Sequence, residues 1–341
     1  MNWIVSDVLA AVLSFCVTAA LGFVVIPWLH KLKFGQTILD IGPAWHKKKQ
    51  GTPTMGGILF IAGTLAAFVV VAVTDKLLGG DLLAAGSAMP LEIRSKIIAG
   101  FLMALGFGVI GFADDYIKVV KKRNLGLTIV QKTVAQVLVM GAYLCSLYLS
   151  MNRHPYMFIP FVGNVEMGFF FWIFGACVIY AAINAVNFTD GVDGLCGSVT
   201  LTAAAAFLVI AAMRNLFGVS MAAAALAGGC AGFLVWNHNP AKVFMGDTGS
   251  MFLGGMVVAL AYAVGCPLIL LPVGLIYVIE GMSDVIQIGY FKLTHGKRIF
   301  KMAPIHHHFE MSGWSEKKIV AVFTAVNLIG GILGVVLMQF D

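Results

Sequence analysis

Apolar stretches long enough to cross a bilayer recur along nearly the whole of this 341-residue chain. A hydrocarbon core takes about 20 apolar residues to cross as a helix. About ten such runs can be marked, at roughly 4–28, 55–73, 95–113, 129–150, 168–187, 197–213, 219–236, 248–265, 267–290 and 318–339. Backbone polar groups in lipid have to be satisfied within the segment, so these runs are expected to be helices. The expectation is an all-α polytopic membrane protein with about ten transmembrane helices, forming a single integral domain over 1–341. A chain that is 60% hydrophobic and 11% charged, with a mean hydropathy of +0.93, excludes an ordinary soluble globule. The first run is expected to stay as a span. It is too long for a signal peptide, opens with Asp7 and no base, and has no clean A-x-A site after it.

The basic residues orient the spans. Connections after odd-numbered runs carry Lys31, Lys33 and Lys47–Lys49, then Lys118, Lys121, Lys122, Arg123 and Lys132. Lys242 follows, and then Lys292, Lys297, Arg298, Lys301, Lys317 and Lys318. Of the 22 Lys and Arg, the other face keeps only Lys76, Arg94, Lys96, Arg153 and Arg214. The positive-inside rule makes the Lys-rich face cytoplasmic and leaves both termini on the extracytoplasmic side. A net charge of +6 concentrated on one face suits anionic lipid and anionic substrates. No soluble basic module suggests nucleic acid. The six cysteines lie mostly within apolar runs without C-x-x-C spacing, and read as small core residues rather than a disulfide framework or metal site.

Polar residues gather on that same face. Asp114 and Asp115 close the third run, where two carboxylates at a helix C-terminus oppose the macrodipole unless a metal or nearby lysines compensate. Asn187, Asp190 and Asp193 recur every three residues with glycines between them, which suits an oxygen cage for a hard cation or a polar turn. An EF-hand is excluded by the missing 12-residue spacing and terminal Glu. Asp247 opens the eighth run, where it could serve as an N-cap or as a ligand. Phe244 beside it suits an interfacial anchor or a platform for a flat base. Lys47–Lys49 running into Gly51–Gly57 can be a positive-inside anchor before a helix, or a diphosphate contact at a helix start. Glu280, Asp284 and Gln287 share one face of the ninth run, turned toward protein or a wet cavity. His306–His308 lack a nearby cysteine for zinc, and imidazole binding of phosphate is at least as good a reading.

These loops are far apart in sequence, yet all fall on one face. Oxygen ligands without thiolates point to Mg²⁺, with Mn²⁺ as a substitute. A carboxylate-held cation ringed by lysines suits diphosphate chemistry, in which positioning and charge neutralisation dominate. A face bordering lipid could take one substrate as a phosphate on a lipid tail.

Five segments carry a resemblance: Ala113-Asp-Asp-Tyr-Ile-Lys118, Asn187-Phe-Thr-Asp-Gly-Val-Asp193, Met245-Gly-Asp-Thr-Gly-Ser250, Gly51-Thr-Pro-Thr-Met-Gly-Gly57 and Ala303-Pro-Ile-His-His-His-Phe-Glu310. In order and content the chain resembles the phospho-N-acetylmuramoyl-pentapeptide transferases. These are bacterial members of the polyprenyl-phosphate N-acetylhexosamine-1-phosphate transferase superfamily. The resemblance implies a ten-span, usually homodimeric enzyme of the bacterial inner membrane with its active site facing the cytoplasm. It implies transfer of phospho-MurNAc-pentapeptide from UDP-MurNAc-pentapeptide to undecaprenyl phosphate, giving lipid I and UMP with Mg²⁺, in the first membrane step of peptidoglycan synthesis.

Carried over residue by residue, Asp247 would be a Mg²⁺ ligand, with Asp115 and Asn187 helping to hold the metal. Asp114 would activate the lipid phosphate. Asn187, Asp190 and Asp193 would bind nucleotide and sugar diphosphate, and Asn237 and Phe244 the uridine. Ala303 and His306–His308 would meet the diphosphate or muramoyl part, with His306 among the catalytic group. Lys49 and Lys132 would neutralise phosphate, and Gln287 would be a further substrate contact. Attack by an Asp to give a phospho-enzyme and direct attack by the lipid phosphate are both open. Direct attack is favoured because a phosphate monoester is already mostly ionised at neutral pH. A sister enzyme that passes GlcNAc-1-phosphate would share the Asp-Asp and Asn-x-x-Asp features, but the His triplet and Thr-Pro-Thr-Met-Gly-Gly favour the muramoyl reaction. A secondary transporter would place its acids near the midplane, often on inverted repeats, and here they lie at one edge.

Overall fold

The computed structural model describes residues 1–31, 51–84, 86–121 and 125–340. It is helical throughout apart from one small hairpin. The long helices are α1 (Trp3–Lys31), α2 (Gly57–Leu77), α3 (Pro90–Val120), α4 (Ile129–Ser150), α5 (Phe170–Thr189), α6 (Leu195–Met213), α7 (Phe217–Asn237) and α8 (Gly246–Ala263). A 3₁₀ turn (Pro267–Ile269), α9 (Leu270–Val273), α10 (Leu275–Leu293), short α11 (Ile305–Glu310) and α12 (Glu316–Leu337) complete the chain. Local chemistry sets several starts. Pro90 sits at the head of α3, Thr128 and Gln131 form a reciprocal capping box on α4, and the Ser315 hydroxyl accepts from Lys318 N–H to open α12.

Among the described residues, eight helices are long and apolar enough to span a membrane. The Pro267–Val273 and Leu275–Leu293 pieces would make a ninth span, bent by 88° at Gly274. The run expected at 248–265 is α8. It falls outside the set of eight because its first turn, Gly-Asp-Thr-Gly-Ser, is polar. Every residue of α8 from Thr248 to Ala263 is buried in protein, so it is a central post rather than a lipid-facing span. Glycines allow that position. A Cβ on Gly254 would lie 2.9 Å from Ile183 Cα of α5, and one on Gly255 would lie 2.6 Å from Ala104 Cα of α3. Lipid tails are as apolar as side chains, so close backbone approach of this kind, rather than hydrophobic expulsion, holds membrane helices together.

The connection 151–168, which the sequence marks only as a loop, forms a two-stranded antiparallel hairpin of β1 (Tyr156–Ile159) and β2 (Gly163–Glu166). Strands of four residues leave too short an alternation to read from sequence. The hairpin docks on the end of the molecule away from the acids. Phe158 N–H donates to Gly265 O, and Phe161 N–H to Phe340 O. Tyr156 Oη donates to Glu92 Oε1 (2.8 Å), while Lys96 pairs with the same buried carboxylate (2.7 Å). Burial, and then the bond to Glu92, push the Tyr156 phenol above its usual pKa. The Met1 amino group meets Asp75 at this end too (2.6 Å), so the first and last described residues share it.

Candidate active site

α3 does not stop at its carboxylates. It continues past Asp114 and Asp115 to Val120, because Lys118 lies one turn on and pairs with both. The macrodipole penalty expected for two terminal acids is therefore met by a cation on the same helix. The Lys118 ammonium is 2.5 Å from Asp114 Oδ2, 3.2 Å from Asp247 Oδ2 and 3.8 Å from Asp115 Oδ1. Lys132, from the first turn of α4, adds a second cation 2.8 Å from Asp247 Oδ2. Asp247 is not an N-cap. Met245 holds that position, and Asp247 lies in the first turn of α8, where the helix dipole favours an anion.

The rest of the site fixes these carboxylates. Asp115 Oδ2 accepts from Thr248 N–H (3.0 Å) and Thr248 Oγ1 (2.8 Å). Asp114 Oδ1 accepts from Leu127 N–H (2.8 Å). Asn187, in the last turn of α5, donates its amide N–H groups to Asp247 Oδ1 (3.0 Å) and Ser250 Oγ (2.7 Å). α3 and α8 meet so closely that a Cβ on Gly111 would lie 2.1 Å from the Asp247 carbonyl oxygen. Gly246, at φ +68°, sits between Asp115 Oδ2 and Thr54 Oγ1, within 2.4 and 2.6 Å of where a Cβ would be. Oxygens of Asp114, Asp115 and Asp247 all lie within 4.8 Å of one another, and Asp114 and Asp115 are buried. A cluster of hard carboxylate donors without thiol or imidazole fits an oxygen-seeking divalent cation.

The structure separates the other expected residues. Asp190 caps α5, beside the cluster's Asn187 in sequence, while Asp193 accepts from Ala241 N–H (3.0 Å) and Asn239 Nδ2 (3.3 Å). The three-residue spacing therefore does not point Asn187 and Asp193 to one partner: the helix ends between them. Asn237 is buried, with its Oδ1 accepting from Gly194 N–H (3.0 Å) and its Nδ2 donating to Val243 O (2.8 Å), so its amide staples two loops. Gln287 also uses both ends of its amide, on Ile299 and Phe300 N–H and on Phe300 O, and shapes the 299–300 turn. Phe244 is half-buried. Its backbone pairs with Pro53 and Gly56, so the 51–57 segment lies along this loop. Gly56 and Gly57 N–H donate to Phe244 O and Met245 O, so the α2 start uses its first amides within the protein rather than presenting them to a phosphate. Lys49 lies outside the described residues.

α11 carries the histidines after Ala303, which is half-buried. They do not converge. His306 is fully buried against Glu280 (Nδ1 to Oε2, 3.0 Å), His307 Nδ1 meets Glu310 Oε2 (2.6 Å), and His308 Nδ1 accepts from Lys301 N–H (3.1 Å). Three consecutive imidazoles with three separate partners make no zinc site. The sequence marks Lys118 only as one of several lysines beside the acids, whereas it touches all three carboxylates. Its i, i+3 and i, i+4 spacing from the two acids was the available signal. Sequence reasoning gave no role to Thr248 or Ser250, which orient them.

Packed helices that bring three carboxylates and two ammonium groups to one end define a polytopic membrane protein with a candidate metal site. The family model for glycosyl transferase family 4 matches residues 97–265, and the phospho-N-acetylmuramoyl-pentapeptide-transferase signature 1 matches residues 49–61. A phospho-N-acetylmuramoyl-pentapeptide-transferase of Acetivibrio thermocellus is 47% identical over 95% of this chain and 92% of its own length. Proteins of the same description are 43% identical in Desulforudis audaxviator, over 95% of this chain and 96% of theirs, and 44% identical in Listeria monocytogenes, over 92% and 93%. The chain belongs to the phospho-N-acetylmuramoyl-pentapeptide-transferase family.

Proposed function

We infer that this chain transfers phospho-MurNAc-pentapeptide from UDP-MurNAc-pentapeptide to undecaprenyl phosphate, giving lipid I and UMP. The family carries the reaction, and the observation that most supports its location is the Asp114–Asp115–Asp247 cluster bridged by Lys118 and Lys132. A lipid phosphate oxygen forms a bond to the β-phosphorus of the nucleotide sugar, the bond from that phosphorus to the α–β bridging oxygen breaks, and UMP leaves with the electron pair. Direct attack is the reading we favour, since the monoester is already mostly ionised.

Asp247 and Asp115, with Asn187 beside them, would hold Mg²⁺, and Mn²⁺ suits the same carboxylate donors. A cation held by these residues would supply positive charge to offset that of the diphosphate. Asp114 orients and, where protonated lipid phosphate arrives, deprotonates the nucleophile. Lys118 and Lys132 offer ammonium groups to phosphate oxygens, and Lys49 is assigned a similar role on the family resemblance. Asp190 and the exposed parts of the 244 and 303–308 segments line the nucleotide-sugar side, with Phe244 as the surface for the uracil. Asn237, Asp193 and Gln287 act chiefly by shaping those loops. His307 and His308 face the muramoyl and diphosphate portion.

The Lys-rich end is read as cytoplasmic and both termini as extracytoplasmic, in a bacterial inner membrane. The whole chain, 1–341, acts as one transferase unit of ten crossings. The active form is a homodimer, as the resemblance implies. The test is release of UMP by the protein purified in detergent with both substrates. Turnover with Mg²⁺, lost on chelation and restored by Mg²⁺, is expected. Turnover with UDP-GlcNAc in place of the muramoyl nucleotide would contradict the reading.

A further inference from the structure

Glu280 lies at the heart of α10 and is fully buried, and so is His306 of α11. Their contact, His306 Nδ1 to Glu280 Oε2 at 3.0 Å, links α11 to α10 through two residues 26 apart in sequence. A carboxylate acceptor at this nitrogen places the proton on Nδ1, which fixes both the tautomer and the plane of the ring. The other edge of the ring is seated on backbone. A Cβ at Gly191 would lie 2.1 Å from His306 Nε2 and 2.7 Å from Cε1. Gly191 belongs to the Asn187–Asp193 stretch, between Asp190 and Asp193 and four residues after the Asn187 that grips Asp247. α10 is itself pressed on α5 just above, where Gly281 faces Ala185. Glu280 Oε1 and His306 Nε2 have no hydrogen-bond partner among the described residues, so the Nδ1–Oε2 contact is the polar bond that sets the ring.

We propose that Glu280 is a positioning residue for the transfer reaction, holding His306 so that the ring sets the path of the Asn187–Asp193 loop on the nucleotide-sugar side. It acts through hydrogen-bond acceptance, not through charge, and His306 is the intermediary rather than a group that meets the reacting atoms. The proposal rests on the transferase reading, so wild-type UMP release is measured beside every variant. Failure of that control would count against the reaction and not against this assignment.

The experiment compares kcat and KM for each substrate in Glu280→Ala, Glu280→Gln, His306→Ala and the double variant Glu280→Ala/His306→Ala, all full-length in detergent. Glu280→Ala is expected to lose roughly 10–100-fold in kcat/KM for the nucleotide sugar, with KM for the lipid phosphate unchanged. Glu280→Gln, whose amide oxygen still accepts from Nδ1–H, stays within a few-fold of wild type. The double variant is no worse than His306→Ala, because Glu280 has no other route to the loop. Losses that multiply in the double variant, a Gln variant as poor as the Ala one, an equal rise in KM for the lipid phosphate, or an unaffected Glu280→Ala would each overturn the proposal. Should Glu280→Ala fail to fold, ¹⁵N-histidine NMR of the wild type decides instead, with the His306 signal assigned by its loss in His306→Ala. Protonated Nδ1 supports the proposal and an unprotonated Nδ1 overturns it.

Discussion

Lys118 is the residue on which the site turns, since one ammonium reaches carboxylates from two helices. Each acid is thus held by cations as well as by hydrogen bonds, and removing one member leaves the others poorly compensated in a partly buried setting. Asp247→Asn should lower turnover by about 10²–10³-fold, as is typical when one electrostatic group aimed at a reacting centre is lost. UMP release measures it, with unchanged detergent-solution Tm as the check on folding. Gly191→Ala should approach the loss seen in His306→Ala, because its methyl would occupy the place of the ring edge. At this scale the sequence was informative about which residues cluster and poor at saying what each does. Asp114, Asp115 and Asp247 were legible because carboxylates at a membrane edge are costly without a purpose. The family resemblance assigns Asn237 and Gln287 to substrate, and sequence alone does not show that their amides also meet the backbone of their own loops.

Among elements, α2 and α8 show how tightly the site end is built. A Cβ on Gly57 would fall 2.3 Å from Gly249 Cα and 2.4 Å from Gly249 N, and backbone atoms have no rotamer by which to yield. Gly57→Ala should therefore cost about 1–3 kcal/mol, as overpacking does, seen as a lower Tm. Gly141→Ala on α4, where nothing lies within 4 Å, should be neutral or stabilising by up to about 1 kcal/mol through helix propensity. Element positions were largely readable, since α4 occupies the 129–150 expected for it. The misses have physical causes. Hydropathy ends the third run at its first charges, whereas Asp114 and Lys118 pair along one helix and let it continue. Hydropathy carries no direction, so the 88° turn at Gly274 left no mark in the pattern.

For the whole molecule, every acid of the cluster lies at one end, and Met1, the hairpin and Phe340 lie at the other. If the Lys-rich end is cytoplasmic, a cysteine placed by Phe161→Cys in a cysteine-free background should react with an impermeant maleimide on intact spheroplasts. One placed by Lys297→Cys should react only after permeabilisation, and the reverse pattern would invert the topology. The burial of α8 also bears on time. During synthesis α2, α3 and α5 leave the ribosome well before residue 246, so Asp114 and Asp115 are threaded into the bilayer long before Asp247 exists to face them. The central post is the late arrival, and the glycines that let α3 and α5 approach it, Gly254 and Gly255, are made with it. A nascent chain therefore lacks the third carboxylate until most of it has been made, and the cluster is complete only once α8 has joined it.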